Sequence, residues 1–180
     1  MPVCRLLPSP RSKVHEIKYL DLGGEGGDEI ITVSTEDGRV VFFSTKKLRE
    51  AENGGIPYAE AVAQLGGRKS GLQGRTKDFE IMKVVDQGFL LVTGGSDGTV
   101  RVWWLTGLEE LTTPSKDTAS KNHGDTPQIG KLLGFYETGN RITCLKAFVM
   151  LPAEDPLAGE ETEAEAEAEG EEAESSSDGD

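Results

Sequence analysis

Few residues in this 180-residue chain stand where side chains could do covalent chemistry. Asp37 and Asp97 are of the type a general acid and base would need. Each precedes a glycine, however, and an Asp-Gly pair marks a tight turn in which the carboxylate caps its own backbone. Asp37-Gly38-Arg39 and Ser96-Asp97-Gly98-Thr99 therefore read as turn chemistry. The two histidines, His15 and His123, have no cysteine or second histidine at ligand spacing, so no metal site is expected. Cys144 lies in an apolar run and reads as packed rather than nucleophilic. Cys4 and Cys144 are too far apart in sequence to suggest a disulfide framework, and reduced thiols are expected. Gly23 to Gly27 lacks the strand-to-helix setting and the Lys-Ser/Thr pair of a phosphate loop. With no converging acid, base or nucleophile, the expectation is a non-enzyme with no catalytic residues, no cofactor and no bound metal.

The elements that would position these residues read as strands. Leu90 to Trp103 is a hairpin: runs rich in Leu, Val and Thr flank Ser96-Asp97-Gly98, and Asp-Gly supplies the positive φ angles of the turn. A weaker copy lies 60 residues earlier, where Asp37 aligns with Asp97, Gly38 with Gly98, Val40 with Val100 and Phe43 with Trp103. Its strands are expected at Glu29 to Thr35 and Arg39 to Ser44. Before each hairpin stands a basic residue followed, four positions on, by an apolar one: Lys13 to Ile17 and Arg75 to Phe79. A third instance is Arg141 to Leu145. Val14 to Leu20 reads as a further strand, as do Ala61 to Leu65 before Gly66-Gly67, and Lys131 to Leu133 before Gly134-Phe135. Each unit thus has four antiparallel strands, the make-up of a propeller blade. Lys46 to Glu60 is read as an insert holding a short helix, with Thr45 as N-cap and Asn53-Gly54 as its stop. Thr112 to Gln128 reads as a mobile loop.

Charge is divided unevenly. Residues 154–180 carry ten Glu and three Asp with no Lys or Arg, and the remaining 19 acidic residues match the 19 basic ones, so the net charge of −13 belongs to the tail. The tail lacks aromatic and β-branched apolar residues and is expected to be disordered. Ser175 and Ser177, with acids after them, are candidate phosphosites for an acid-directed kinase. Residues 1–13 lack the apolar core of a signal peptide, and no run approaches the ~20 apolar residues of a membrane span. A soluble nuclear or cytoplasmic protein is expected. Arg68, Lys69, Arg75 and Lys77 form a weak basic cluster, a candidate partner contact. Adjacent strand residues face opposite sides, so Trp103 is expected inside and Trp104 outside, as a lid on the core or a contact.

The stretch Thr93-Gly94-Gly95-Ser96-Asp97-Gly98-Thr99-Val100-Arg101-Val102-Trp103 resembles the inner hairpin of a WD-repeat blade. The resemblance implies a buried hydrogen-bond network through Thr93, Asp97 and Trp103. It lacks the family's Gly-His pair, whose place is taken by Gly66-Gly67 and Gly134-Phe135. Trp104 stands for the usual Asp, and Val33 and Phe43 replace the polar and Trp members in the earlier unit. Together with Gly139-Asn140-Arg141-Ile142-Thr143-Cys144-Leu145 and the acidic tail, residues 13–150 look like the C-terminal part of the kinase-interacting, maintenance-of-killer family of large-ribosomal-subunit assembly factors. The implied fold is an all-β, WD-repeat β-propeller, here a partial set of about two four-stranded blades plus one strand. The expected organisation is an irregular lead-in (1–12), a partial propeller (units 13–67 and 75–135, extra strand 141–150) and a disordered acidic tail (151–180). Asp37, Gly38, Thr93, Asp97, Gly98 and Trp103 are its structural blade residues. The implied function is a non-catalytic nucleolar scaffold in ribosome assembly. Its partners would be ribosomal proteins or assembly factors, and ribosomal RNA within the particle, with no membrane partner. The alternative is an adaptor that restrains a p21-activated-type protein kinase by docking. With blade faces and an extra strand left open, the chain is expected to need further blades for a stable fold.

Overall fold

Eight segments pair as strands in the computed structural model, which describes residues 4–22, 29–51, 53–70, 72, 74–84, 88–108 and 126–150. They are β1 (Val14–Asp21), β2 (Glu29–Thr35), β3 (Arg39–Arg49), β4 (Tyr58–Gly66), β5 (Thr76–Val84), β6 (Gly88–Gly95), β7 (Thr99–Leu105) and β8 (Lys131–Glu137). They form two antiparallel four-stranded sheets, β1-β2-β3-β4 and β5-β6-β7-β8, each in sequence order. The 60-residue repeat is kept in the register, since Val33 pairs with Val41 and Thr93 with Arg101. Both hairpins close in the same way: Gly38 N donates to Thr35 O (3.0 Å) and Gly98 N to Gly95 O (3.1 Å). The two glycines have φ of +82° and +80°, which a side chain resists. A methyl group there would also meet the next crossing of the chain, 2.6 Å from Gly74 O and 2.7 Å from Asn140 O.

The sheets stack face to face. Leu20, Ile30, Val40, Phe42 and Leu65 of the first meet Phe79, Phe89, Leu91, Trp103 and Leu105 of the second in one core. Strand neighbours alternate between faces, so Val33, Val41 and Phe43 line the opposite face of the first sheet. Both faces of β3 are therefore buried, which explains its unbroken Val40-Val41-Phe42-Phe43 run. Cys4, Leu6 and Val14 pack on that opposite face. The lead-in thus covers the β3 and β4 part of this face, and its Arg5 also bridges to Tyr58, while Ile17 and Tyr19 on β1 stay 56% and 63% exposed.

Three expectations on elements are corrected. Among the described residues of Lys46 to Glu60 there is no helix. β3 continues to Arg49, where Leu48 pairs with Ala59 and Arg49 with Tyr58. The Ser44 hydroxyl accepts from Lys46 N and Lys47 N (3.2 Å each) where the β3–β4 ladder is irregular, between Ser44 and Leu48. Gly134 and Phe135 do not follow the last strand but lie inside β8, paired with Val102 and Arg101. Residues 141–150 form no strand. That segment joins no ladder, and is held instead by Ile142 N to Gly95 O (3.3 Å) and Leu145 N to the Asp78 carboxylate (2.7 Å). Even so it repeats the course of β5. Ile142 and Leu145 lie over Gly94 of the second sheet, much as Phe79 lies on the first. Lys18 donates to Glu80 (2.9 Å), and Lys146 pairs with the same carboxylate. Lys18, Glu80 and Lys146 each follow the apolar residue of one of the three basic-to-apolar instances.

A contact boundary falls after Phe148, and of the second unit only Val149 and Met150 lie among the described residues. The acidic tail from 151, Ser175, Ser177, His123 and most of the expected loop at Thr112 to Gln128 lie outside them. The described end of that loop is anchored. Gln64 N donates to Pro127 O (2.8 Å), Ile129 N to Gln64 O (2.9 Å), and the Gln64 amide to Thr126 O (2.9 Å). Among the described residues no helix is long and apolar enough to cross a membrane.

Candidate functional site

The Asp-Gly turns sit at corresponding ends of the two sheets, and each aspartate answers to an arginine on the strand that follows it. In the first sheet Arg39, with only 8% of its side chain exposed, is the hub. Its Nε donates to Asp37 (2.9 Å), Nη1 to Ser9 O (2.6 Å) and to Gln64 Oε1 (3.2 Å), and Nη2 to Pro10 O (2.8 Å). The Thr35 hydroxyl donates to Asp37 and accepts from Arg39 N. A planar guanidinium can serve this many oxygens at once because its N–H groups spread in a fixed fork. A buried arginine network therefore ties this turn to the lead-in and to β4.

A methyl group on Gly67 would come 2.6 Å from Arg39 Cγ, so the arginine stem fills the space beside this glycine.

In the second sheet the expected three-residue network is divided. Trp103 Nε1 donates to Thr93 Oγ1 (3.2 Å) in the buried interface between the sheets. Asp97 does not join them. Arg101 Nη2 donates to it at 2.7 Å, and its other oxygen accepts from Thr99 N at 3.2 Å. With Gly95 where the first sheet has Thr35, this turn lacks the hydroxyl that in the first sheet bonds both the aspartate and the arginine N–H. Trp103→Phe is expected to lower stability by about 1–2 kcal/mol, because the indole donor is lost while the buried Thr93 hydroxyl stays. Urea unfolding checks this, and the double variant with Thr93→Val should cost little more than the single one.

Burial acts to raise the Asp37 carboxyl pKa, but hydrogen bonds from Arg39 and Thr35 outweigh it and hold the group below its ordinary value of 3.8. For Asp97 burial again pushes upward, and Arg101 with the turn N–H groups prevails downward. Glu80 follows the same pattern against Lys146 and Lys18, below an ordinary 4.5. A lowered folded pKa means the unfolded chain binds protons first. The stabilisation from these groups is complete above the ordinary values, and is lost as pH falls from there through the folded ones. Urea midpoints should thus hold level from neutrality to about pH 5 and fall below it. Asp37→Asn should flatten that fall; an unchanged pH profile in this variant would contradict the assignment.

The remaining candidates are dispersed. Arg68 is exposed at the start of a short 3-10 turn, Arg68–Ser70, and the side chain of Lys69 lies outside the described residues. Arg75 pairs with Glu36 (2.5 Å), and Lys77 stands 3.3 Å from His15, which itself bonds Glu36. Arg75 and Lys77 are thus tied into the contact between β1, its neighbouring turn and β5. Trp103 is buried and Trp104 half-buried on the opposite face, against Gly88. Cys144, expected to be packed, is exposed, because Ile142 and Leu145 are the side chains that turn onto the sheet. A cavity of about 10 Å³ beside Trp103, Thr93 and Arg101 has room for one water. Among the described residues no three His, Cys, Asp or Glu side chains converge on one point. The arrangement can clamp strands, turns and the lead-in together.

Arg39 and Gln64 are what sequence reasoning missed. Their signal was a polar residue within an otherwise apolar strand: Arg39 ahead of Val-Val-Phe-Phe, and Gln64 between Ala63 and Leu65. No protein-family model matches the chain, and no curated protein is significantly similar to it.

Proposed function

We propose that this chain is a non-catalytic WD-repeat scaffold, its two sheets being successive propeller blades, that acts in assembly of the large ribosomal subunit in the nucleolus. The observation that carries the architectural part is the repeated crossing of the chain. After β4, Gly67 N and the Thr76 hydroxyl bond Gly38 O (3.1 and 3.2 Å). After β8, Thr138 N and its hydroxyl bond Gly98 O (both 2.8 Å). Each time the chain leaves an outer strand, passes over an Asp-Gly turn and lies down on the face just completed, which is how blades succeed one another in a propeller. The functional part rests on the resemblance at 13–150 and on the neutral body with an acidic tail. Thirteen acidic residues repel phosphate and suit basic ribosomal proteins. Arg68 and Lys69 offer contacts to ribosomal RNA within a particle, which salt would weaken.

Affinity purification of the tagged full chain from cells is the test. Recovery of large-subunit precursors with their ribosomal RNA supports the reading. Recovery of a p21-activated-type kinase without ribosomal material replaces it with the docking adaptor, and recovery of neither overturns both.

A further inference from the structure

The outer strands of the two sheets, β4 and β8, correspond in the repeat but differ in their free edges. That of β4 is covered at both ends by extended chain. Arg5 N donates to Pro57 O (2.8 Å) and Ala59 N to Arg5 O (2.9 Å), while Gln64 exchanges bonds with Pro127 and Ile129. β8 is last in its sheet, and among the described residues nothing pairs along its outer side. All seven of its residues are exposed. Leu132, Leu133, Phe135 and Tyr136 stand at 40%, 54%, 66% and 71% exposure. A bare edge carrying large apolar side chains is a template for a further strand. Because Thr138 N turns inward to Gly98 O, the antiparallel alternation turns the N–H and C=O groups of Phe135 and Glu137 outward.

The strand's own sequence indicates what pairs there. Lys131-Leu132-Leu133-Gly134-Phe135-Tyr136-Glu137, laid antiparallel on itself about Gly134, sets Lys131 against Glu137, Leu132 against Tyr136 and Leu133 against Phe135, the strand's one irregularity against β7 falling at Leu133. Opposite charges meet at both ends, and aliphatic meets aromatic between them, which are favourable cross-strand pairs. A parallel arrangement in the same register would set lysine beside lysine and glutamate beside glutamate. We propose that β8 is a self-association edge: two copies pair antiparallel about a two-fold axis at Gly134, joining their second sheets into one continuous sheet.

Gly134 allows a direct test, since a methyl group there meets nothing within 4 Å. At the axis the two Gly134 residues form a non-hydrogen-bonded pair about 4.5 Å apart, within disulfide reach. In the full chain with Cys4→Ser and Cys144→Ser, Gly134→Cys should give a disulfide dimer under mild oxidation, while Leu133→Cys, which faces Phe135, should not. Sedimentation of the unaltered chain should show a concentration-dependent species of twice the 19.3 kDa chain mass. Lys131→Glu occurs twice in a symmetric contact and should weaken the dimer about tenfold or more. Adding Glu137→Lys should restore it, an outcome that misfolding cannot imitate. A monomer at every concentration, failure of the charge swap to restore association, or crosslinking at position 133 as readily as at 134 overturns the proposal.

Discussion

Replacing Arg39 with methionine should lower the unfolding free energy by about 3 kcal/mol and free the lead-in from the first sheet. Methionine keeps most of the buried stem, so the loss isolates the guanidinium. Its removal strips partners from Ser9 O, Pro10 O, Gln64 Oε1 and Asp37 together. The Asp37 carboxylate would be left half-buried without its counter-charge, the case in which breaking a pair costs most. Arg39→Lys restores the charge but not the fork and should recover less than half of the loss. Two measurements separate local from global effects. Urea unfolding gives the stability. Amide exchange at Arg5 and Ala59, whose N–H groups join the lead-in to the outer strand, should accelerate in Arg39→Met beyond what the global loss explains. Exchange at these two amides that rises no more than the global loss explains would refute the clamp.

Phe79→Ala should be the most damaging apolar truncation, at about 3–5 kcal/mol. Phe79 is fully buried, lies on β5 and reaches into the core shared with the first sheet. Lys18 stands over its ring, with Nζ 5.8 Å from the centroid. Truncation removes both the transfer term and the contact between the sheets, and the strands on either side are too constrained by their ladders to collapse into the gap. Phe79→Leu keeps most of the volume and should cost about 1–1.5 kcal/mol. The measurement is denaturant unfolding followed at Trp103 and at the backbone together. Coincident curves for the parent that separate in Phe79→Ala would show the sheets uncoupling. A loss below about 1 kcal/mol would mean the ring is not a keystone of the interface.

What could be read from the chain was local in origin. Asp37-Gly38 and Asp97-Gly98 specify their turns within four residues, and the flanking β-branched runs specify β2, β6 and β7. The end of β3 was not legible, because Lys46 and Lys47 show no apolar alternation and the strand continues only by pairing with Tyr58 and Ala59 across the hairpin. The Thr93–Trp103 bond follows from two residues facing one side of paired strands. The partner of Asp97 does not follow, since it depends on Arg101 reaching back to the turn. Arg39 was out of reach for a similar reason: its acceptors at Ser9 and Pro10 lie 30 and 29 residues away and belong to a segment without periodicity. Cys144 was misplaced because facing rules presuppose a ladder, and its segment has none.

Gln64 joins two clamps that have been described apart. Its side-chain oxygen takes a bond from Arg39, its amide nitrogen gives one to Thr126, and its backbone holds Pro127 and Ile129. The result is one load path from the lead-in at Ser9, through Arg39 and Gln64, to the segment entering β8. The 3.2 Å contact between Arg39 and Gln64 acts beside the β3–β4 ladder, where Val40 pairs with Leu65 and Val41 with Gln64, so a pull on the lead-in is shared between side-chain bond and ladder. A pull on the lead-in is thereby felt at the segment that enters the edge strand.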